Sequence, residues 1–233
     1  MKASWWKILA VILVIYTITA GFLFDVPRKP ILHESIRNLY FHVPMWFGMI
    51  TMYFISLFYS IKYLSSNNEE NDIKAIEFVN AGTLFGILGM VTGMIWAQFT
   101  WGQWWSGDPK QNASAILLLI YFAYMILRGS MTDSQQRAKV SAVYNVFAAA
   151  SIIPLLFILP RMTDSLHPGN GGNPGFNSYD LDSKMRMVFY PAGFLLSCRR
   201  QNLVIMNTVT IYLPDEFRLL CILSGVDPKE LLQ

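Results

Sequence analysis

Five apolar stretches separated by short polar segments organise the first 160 residues of the chain. They predict membrane spans at about residues 5–24, 40–63, 75–99, 113–127 and 140–159. Several reach the roughly 20 mostly apolar residues that a helix needs to cross a bilayer. Charged or turn-forming residues bound each stretch, as in Asn67-Asn68-Glu69-Glu70 after the second. The pattern predicts an all-α, polytopic membrane helical bundle.

The two ends of this pattern leave room for alternatives. Lys2 and Lys7 before the first stretch also fit a signal peptide, but the apolar run 8–24 is long for one, which favours a retained helix. A sixth stretch after Pro191 is short and meets Arg199-Arg200. A charge at the bilayer centre costs about 2.5–3.5 kcal/mol. We therefore expect five clear spans, a doubtful sixth, a membrane domain at 1–197 and an atypical tail at 198–233.

Counting spans places the polar chemistry on one membrane face, whichever way the chain is oriented. The loops after the first, third and fifth spans share a side. The first of these loops holds His33 and leads into His42, the second is a tryptophan-rich stretch, and the third holds His167. All three histidines of the chain therefore lie on that side. A slight excess of Lys and Arg in the other loops favours a cytoplasmic N-terminus.

The tryptophan-rich stretch reads W-A-Q-F-T-W-G-Q-W-W-S-G-D-P-K at residues 96–110. Four of the chain's seven tryptophans fall in it: Trp96, Trp101, Trp104 and Trp105. An isolated tryptophan such as Trp46 is typical of a membrane-interface anchor. This density of indoles instead favours a platform for a flat, apolar ligand, since large aromatic rings stack on such surfaces.

Small residues in the third span point to helix packing. Gly82, Gly86, Gly89 and Gly93 recur at spacings that let neighbouring helices approach closely. We interpret this pattern as a packing feature.

Composition narrows the functional classes. The chain is 54% hydrophobic and 14% charged, against about a quarter charged in soluble domains. A net charge of +3 without a Lys/Arg cluster gives no support for nucleic-acid binding. Cys198 and Cys221 form no C-x-x-C, so a dithiol redox motif is unsupported. A Walker A sequence is missing too, so the chain carries no recognisable ATPase of its own.

Haem is a ligand that suits the histidines, the tryptophan-rich stretch and the basic residues of this face. It is a flat macrocycle whose iron accepts axial ligands and whose propionates carry negative charge. His42 and His167 could ligate the iron, while Arg37 and Lys110 could pair with the propionates. His33 competes with His42 as a ligand, and spacing alone does not choose between them.

Simpler interpretations of these residues stay open. His167 sits in a Gly/Pro/Asn-rich loop and could be merely solvated. Asp108-Pro109 could only set up the turn into the fourth span. Arg37 and Lys110 could face lipid headgroups.

At these residues the sequence resembles a known family. W-G-Q-W-W-S-G-D-P-K is similar to the tryptophan-rich WWD signature of the haem-handling membrane proteins of cytochrome c maturation. R-N-L-Y-F-H-V-P and S-L-H-P-G resemble the two histidine motifs of the haem exporter protein C family, and the resemblance covers about residues 5–192. It implies six transmembrane helices with both termini in the cytoplasm and no enzymatic activity. It also implies that haem b is held at the outer face of the bacterial inner membrane. From there it is delivered to a membrane-anchored periplasmic haem chaperone, in association with an ABC transporter.

The resemblance also assigns site residues. It implies that His42 and His167 are the axial ligands. The haem-contacting loop would consist of Trp101, Gly102, Trp104, Trp105, Asp108 and Pro109, with Arg37 and Lys110 at basic motif positions. Gly107 departs from the signature, which usually has a further tryptophan immediately before the aspartate.

Two other functions remain as alternatives. A small relative of the cytochrome c synthases would attach haem covalently, but the short loops leave little room for an apocytochrome. A permease subunit would need polar groups within its spans. Asn80 and Asn145 are the clearest of these, and neither is ionisable.

Overall fold

The computed structural model describes residues 5–27, 32–167 and 181–197, and every regular element in these ranges is a helix. In chain order they are α1 (Trp5–Leu23), a 3₁₀ turn (His33–Asn38), α2 (Leu39–Ser66), α3 (Glu69–Trp101), α4 (Pro109–Gly129), α5 (Ser134–Ala150), a π-helical segment (Ile153–Ile158), α6 (Leu159–Met162) and α7 (Ser183–Ser197).

The predicted all-α polytopic bundle is confirmed. Four helical stretches are long and apolar enough to cross a membrane: His33–Ser66, Glu69–Trp101, Pro109–Gly129 and Ser134–Met162. The apolar part of α1, Ile8–Leu23, is shorter. The helices extend beyond the predicted spans because their polar ends are capped. Asn68, for example, accepts the Glu70 N–H, and the acidic first turn of α3 suits the positive end of its dipole.

The doubtful sixth stretch is helical through Ser197 as α7. Its Met185, Val188 and Phe189 side chains are buried in a cluster with residues of α1 and α2. The helix has 15 residues, which corresponds to a length of about 22 Å at 1.5 Å per residue. The predicted tail 198–233 lies outside the described residues, so the domain boundary at 197 stays a prediction.

α2 is the central helix of the bundle, packing against α3, α5 and α7. The main core lies between α2, α3, α4 and α5, where the Tyr53 and Tyr121 rings stack with centroids 3.5 Å apart. At the opposite end from the histidines, Arg128 makes a two-pronged ion pair with Asp72 at 2.8 and 2.6 Å. These contacts hold α3 and α4 in register.

The last predicted span of the five is not a continuous α-helix. α5 ends at Ala150, and the backbone widens into the π-helical segment Ile153–Ile158 before α6 begins. Pro154 lies at the start of this segment and has no N–H to donate to the helical ladder. Such π segments are frequent at functional sites, and this one forms a wall of the cavity described next.

Candidate functional site

A cavity of about 330 Å³ lies between α2, α3, the start of α4 and the end of the fifth span. His42 and His167 both line it, so the structure brings together the two histidines that the sequence paired as ligands. Its volume falls at the lower end of the range for small-molecule sites. The wall is mostly apolar and includes Leu39, Val43, Trp46, Ile50, Met90, Met94, Trp96, Leu156 and Phe157.

The His42 side chain is held in one tautomer by the backbone of α3. Its Nδ1 lies 2.9 Å from the Gly89 carbonyl oxygen. Because a carbonyl only accepts, Nδ1 carries the proton and Nε2 keeps its lone pair. The Trp46 indole N–H, which can only donate, lies 3.3 Å from Nε2 and agrees with that assignment. A neutral imidazole of this kind is the form that ligates a metal.

The glycines of α3 make room for these two rings. A Cβ on Gly93 would lie 2.5 Å from His42 Cε1, and one on Gly89 would lie 3.1 Å from the Trp46 ring. Gly82 instead meets Tyr53 in the core, as the packing interpretation predicts. Gly89 and Gly93 therefore shape the cavity wall as well as the contact between α2 and α3.

Asp108 orients His167 as the Gly89 carbonyl orients His42, by accepting a hydrogen bond from Nδ1. One carboxylate oxygen lies 2.8 Å from His167 Nδ1, and the other accepts the Leu166 N–H at 2.6 Å. Burial by itself raises the pKa of Asp108. The hydrogen bond and charge of His167, with the Leu166 and Lys110 N–H groups, outweigh burial and hold that pKa below its ordinary value. Because an ionised carboxylate only accepts, Nδ1 of His167 carries the proton, and in the neutral imidazole the lone pair lies on Nε2, where a metal could bind.

Asp108 and Pro109 also begin α4, which was the simpler interpretation of this dipeptide. Asp108 is the N-cap, accepting the Lys110 N–H at 2.9 Å, and Pro109 is the first helical residue. The capping interpretation therefore holds for Asp108, and the same buried carboxylate also orients His167; its contact with haem stays a prediction.

Most of the tryptophan loop lies beside the cavity rather than in its wall. Trp101 meets the His167 ring edge-on, with centroids 4.9 Å apart. Trp104 and Trp105 are 53% and 40% exposed. Gly102 ends α3 in the left-handed region, and Gly107 has φ +73°, a conformation that a tryptophan there would adopt only with strain.

The basic residues divide between two places. Lys110 lines the cavity together with Arg161. Arg37 does not: it donates to the Gly21 carbonyl at 2.9 Å and to that of Phe24, and it pairs with Glu34. It thereby ties the end of α1 to the 3₁₀ turn.

His33 is exposed and is not part of the cavity wall. The structure thus separates it from His42, which is 8% exposed and faces α3.

The sequence analysis did not assign most of the cavity wall, and Trp46, Gln111 and Arg161 are among the residues it missed. The spacing of Trp46, one helical turn after His42, was a usable signal, since residues four apart share a helix face. Nothing in the sequence pattern distinguished Arg161 from the other loop charges.

Comparisons with known proteins give one family match over most of the chain and relatives of two names. Residues 1–210 match the family described as Heme exporter protein C. Heme exporter protein C of Paracoccus denitrificans is 24% identical over 135 residues, covering 58% of this chain and 56% of that protein. The protein of the same name from Rhodobacter capsulatus is 26% identical over 172 residues, covering 71% and 68%. Cytochrome c biogenesis protein CcsA of Prochlorococcus marinus is 39% identical over 99 residues, covering 36% and 31%. The matches thus span about half to two thirds of the Heme exporter protein C relatives.

Proposed function

The chain belongs to the Heme exporter protein C family, and on that premise we propose that it binds haem b and delivers it during cytochrome c biogenesis. The site faces the outside of the bacterial inner membrane, and the recipient is a membrane-anchored periplasmic haem chaperone. Subunits of an ABC transporter are the associated partners. The observation that carries the proposal is that His42 and His167 line one cavity, each with its Nδ1 engaged by an oxygen acceptor.

The donor set suits haem better than a bare metal ion. Among the described residues there is no group of three or more His, Cys, Asp or Glu side chains that could hold a metal. A porphyrin brings four nitrogens of its own, so its iron needs only the two axial positions. Two imidazoles with their lone pairs on Nε2 meet that need.

The surroundings of the two histidines match the rest of the haem molecule. Trp46 and Trp96 contribute apolar rings to the cavity wall. Lys110 and Arg161 line the same cavity, so both place a positive charge where the propionates would lie, and Arg can bind a carboxylate with two parallel hydrogen bonds. Of the two basic residues that the family motifs assign, Lys110 lines the cavity and Arg37 bonds carbonyls at the end of α1; a propionate contact stays a prediction for both.

Delivery, rather than permanent retention, follows from the kind of bonds available. Ligation by imidazoles alone leaves haem exchangeable, because an incoming ligand can displace one of them. Trp104 and Trp105 sit beside the site with much of their surface exposed, where an acceptor protein could approach. The protein therefore needs no bond-making chemistry of its own.

The permease alternative has little support from the described spans. Asn145 is fully buried and donates to Ser56 and Ser60 at 2.7 and 2.8 Å, which ties α5 to α2. Asn80 is exposed on the outside of α3. Neither asparagine lines the cavity.

Visible spectroscopy of the purified protein tests the ligands. We expect a six-coordinate, bis-histidine b-type spectrum with resolved α and β bands. His42→Ala or His167→Ala should each convert it to a five-coordinate form that loses haem during purification. His33→Ala is the matched control and should leave the spectrum unchanged, because His33 lies outside the cavity. Wild-type spectra from both cavity variants would reject the assignment.

A transfer assay tests delivery. Haem-loaded protein mixed with the purified apo-chaperone should lose its spectrum as the chaperone becomes haem-labelled, and the His167→Ala variant should transfer little. Incubation with apocytochrome alone tests the enzymatic alternative, since covalent haem formed without a chaperone would favour a haem lyase.

A further inference from the structure

We propose that Trp46 is a built-in competitor of haem iron: its indole N–H binds the same His42 lone pair that the iron must use. The proposal rests on the function proposed above and adds a residue that helps haem to leave. Neither the family motifs nor the sequence pattern assigns Trp46 such a part.

The competition follows from the hydrogen bonds around His42. Nδ1 donates to the Gly89 carbonyl at 2.9 Å, so Nε2 is the one ring nitrogen with a lone pair. Trp46 Nε1–H points at that nitrogen from 3.3 Å. One lone pair cannot serve an N–H donor and an iron together, so ligation requires this hydrogen bond to break.

The same helix surface positions both rings. Trp46 follows His42 by one turn of α2, and the ring planes meet at 80° with centroids 6.1 Å apart. The Gly89 carbonyl accepts from His42, and the Trp46 ring packs where a side chain on Gly89 would lie. Trp46 Nε1 would be 3.3 Å from a Cβ added there. The donor is therefore held next to Nε2 by packing.

The bond is suited to reversible exchange. At 3.3 Å it is longer than the usual 2.7–3.2 Å of a strong hydrogen bond, so iron can displace it. It also satisfies a buried acceptor, which would otherwise be unfavourable. When haem leaves, the indole can recapture the lone pair, so haem binding is weaker and release is faster than with a passive neighbour.

Trp96 provides a matched control. It also lines the cavity and also meets the His42 ring edge-on, with centroids 5.9 Å apart. Its N–H, however, donates to Ser35 Oγ at 3.2 Å. Phenylalanine at either position removes an indole from the same wall, but only Trp46→Phe removes the donor from His42.

The experiment measures haem affinity and release. Detergent-purified wild type, Trp46→Phe and Trp96→Phe are titrated with hemin, and the loaded proteins are mixed with excess apomyoglobin to follow haem loss. Trp46→Phe should keep the bis-histidine spectrum, bind hemin about three- to tenfold more tightly and release it more slowly by a similar factor, as expected for one lost competing hydrogen bond. Trp96→Phe should not tighten hemin binding, since it removes an indole from the same wall but changes no bond to His42.

Equal values for the two variants, or weaker binding by Trp46→Phe, would overturn the proposal while the wild-type spectrum still supports haem ligation. A wild type without a bis-histidine spectrum would instead reject the proposed function itself. If Trp46→Phe does not fold, Trp46→Leu removes the same N–H. It should also tighten binding, and weaker binding by Trp46→Leu in a folded protein would again overturn the idea.

Discussion

Gly93→Ala is the sharpest test of how the cavity is built, because one methyl group reaches His42 without removing any polar atom. The added Cβ would lie 2.5 Å from His42 Cε1 and 3.1 Å from Nδ1. Ordinary van der Waals contact begins near 3.4 Å, so the imidazole must retreat by about 0.9 Å.

The expected loss follows from that displacement. A retreat of this size stretches the 2.9 Å bond from Nδ1 to the Gly89 carbonyl beyond hydrogen-bonding range. Overpacking of this kind typically costs about 1–3 kcal/mol, and loss of the partner that orients a metal-ligating histidine lowers metal affinity about 10- to 100-fold. We expect hemin binding to weaken by a factor in that range, with a growing five-coordinate component.

The assay is a hemin titration followed in the visible spectrum, with two glycine controls. Gly129→Ala should behave as wild type, because a Cβ there meets nothing within 4 Å. Gly86→Ala presses on Leu118 at 2.6 Å and Met49 at 2.8 Å, so it should lower the melting temperature without a specific effect on ligation. Wild-type haem affinity in a folded Gly93→Ala protein would refute the placement of His42 against α3.

Two further predictions concern the other side of the cavity. Asp108→Asn should weaken hemin binding about 10- to 100-fold, because His167 loses the carboxylate that orients it. Ser165→Ala removes a hydroxyl that donates to the same carboxylate and accepts the His167 N–H, but it leaves the bond from Asp108 to the His167 ring, so it should change hemin titrations less. Arg161→Gln should weaken hemin binding about three- to tenfold through loss of a charge-assisted contact at an exposed position. Haem dimethyl ester, which has no free propionates, should bind that variant and wild type alike, and a normal hemin affinity for Arg161→Gln would remove this residue from the site. Arg137→Gln, in the first turn of α5, is the charge control.

Much of the architecture was predictable because it depends on local properties. Hydropathy over about 20 residues determines which segments can leave water, so the long apolar runs became helices. Capping residues such as Asn68 and Asp108 stand where the helices begin. The parity of the spans then placed the histidines and the tryptophan loop at one end of the bundle.

The role of individual side chains was less predictable. The sequence predicts Arg37 as a propionate partner but does not show that it bonds the carbonyls that end α1. Trp46 looked like an isolated interface anchor, yet it donates to His42. In each case the role of the side chain depends on its hydrogen-bond partner. The sequence pattern does not specify how close that partner lies in space.

By itself, the sequence determined the helices, their order and the end of the bundle that carries His42 and His167, because burial of apolar side chains and satisfaction of the backbone are settled segment by segment. Only the tertiary structure decided that His42 rests on the backbone of Gly89, 47 residues away, and that Asp108 holds His167 across 59 residues. Those contacts depend on how each helix is rotated and how closely it approaches its neighbour. At Gly93, a shift of about one ångström between the helices would decide whether the His42 imidazole keeps its hydrogen bond to Gly89 or is displaced from it.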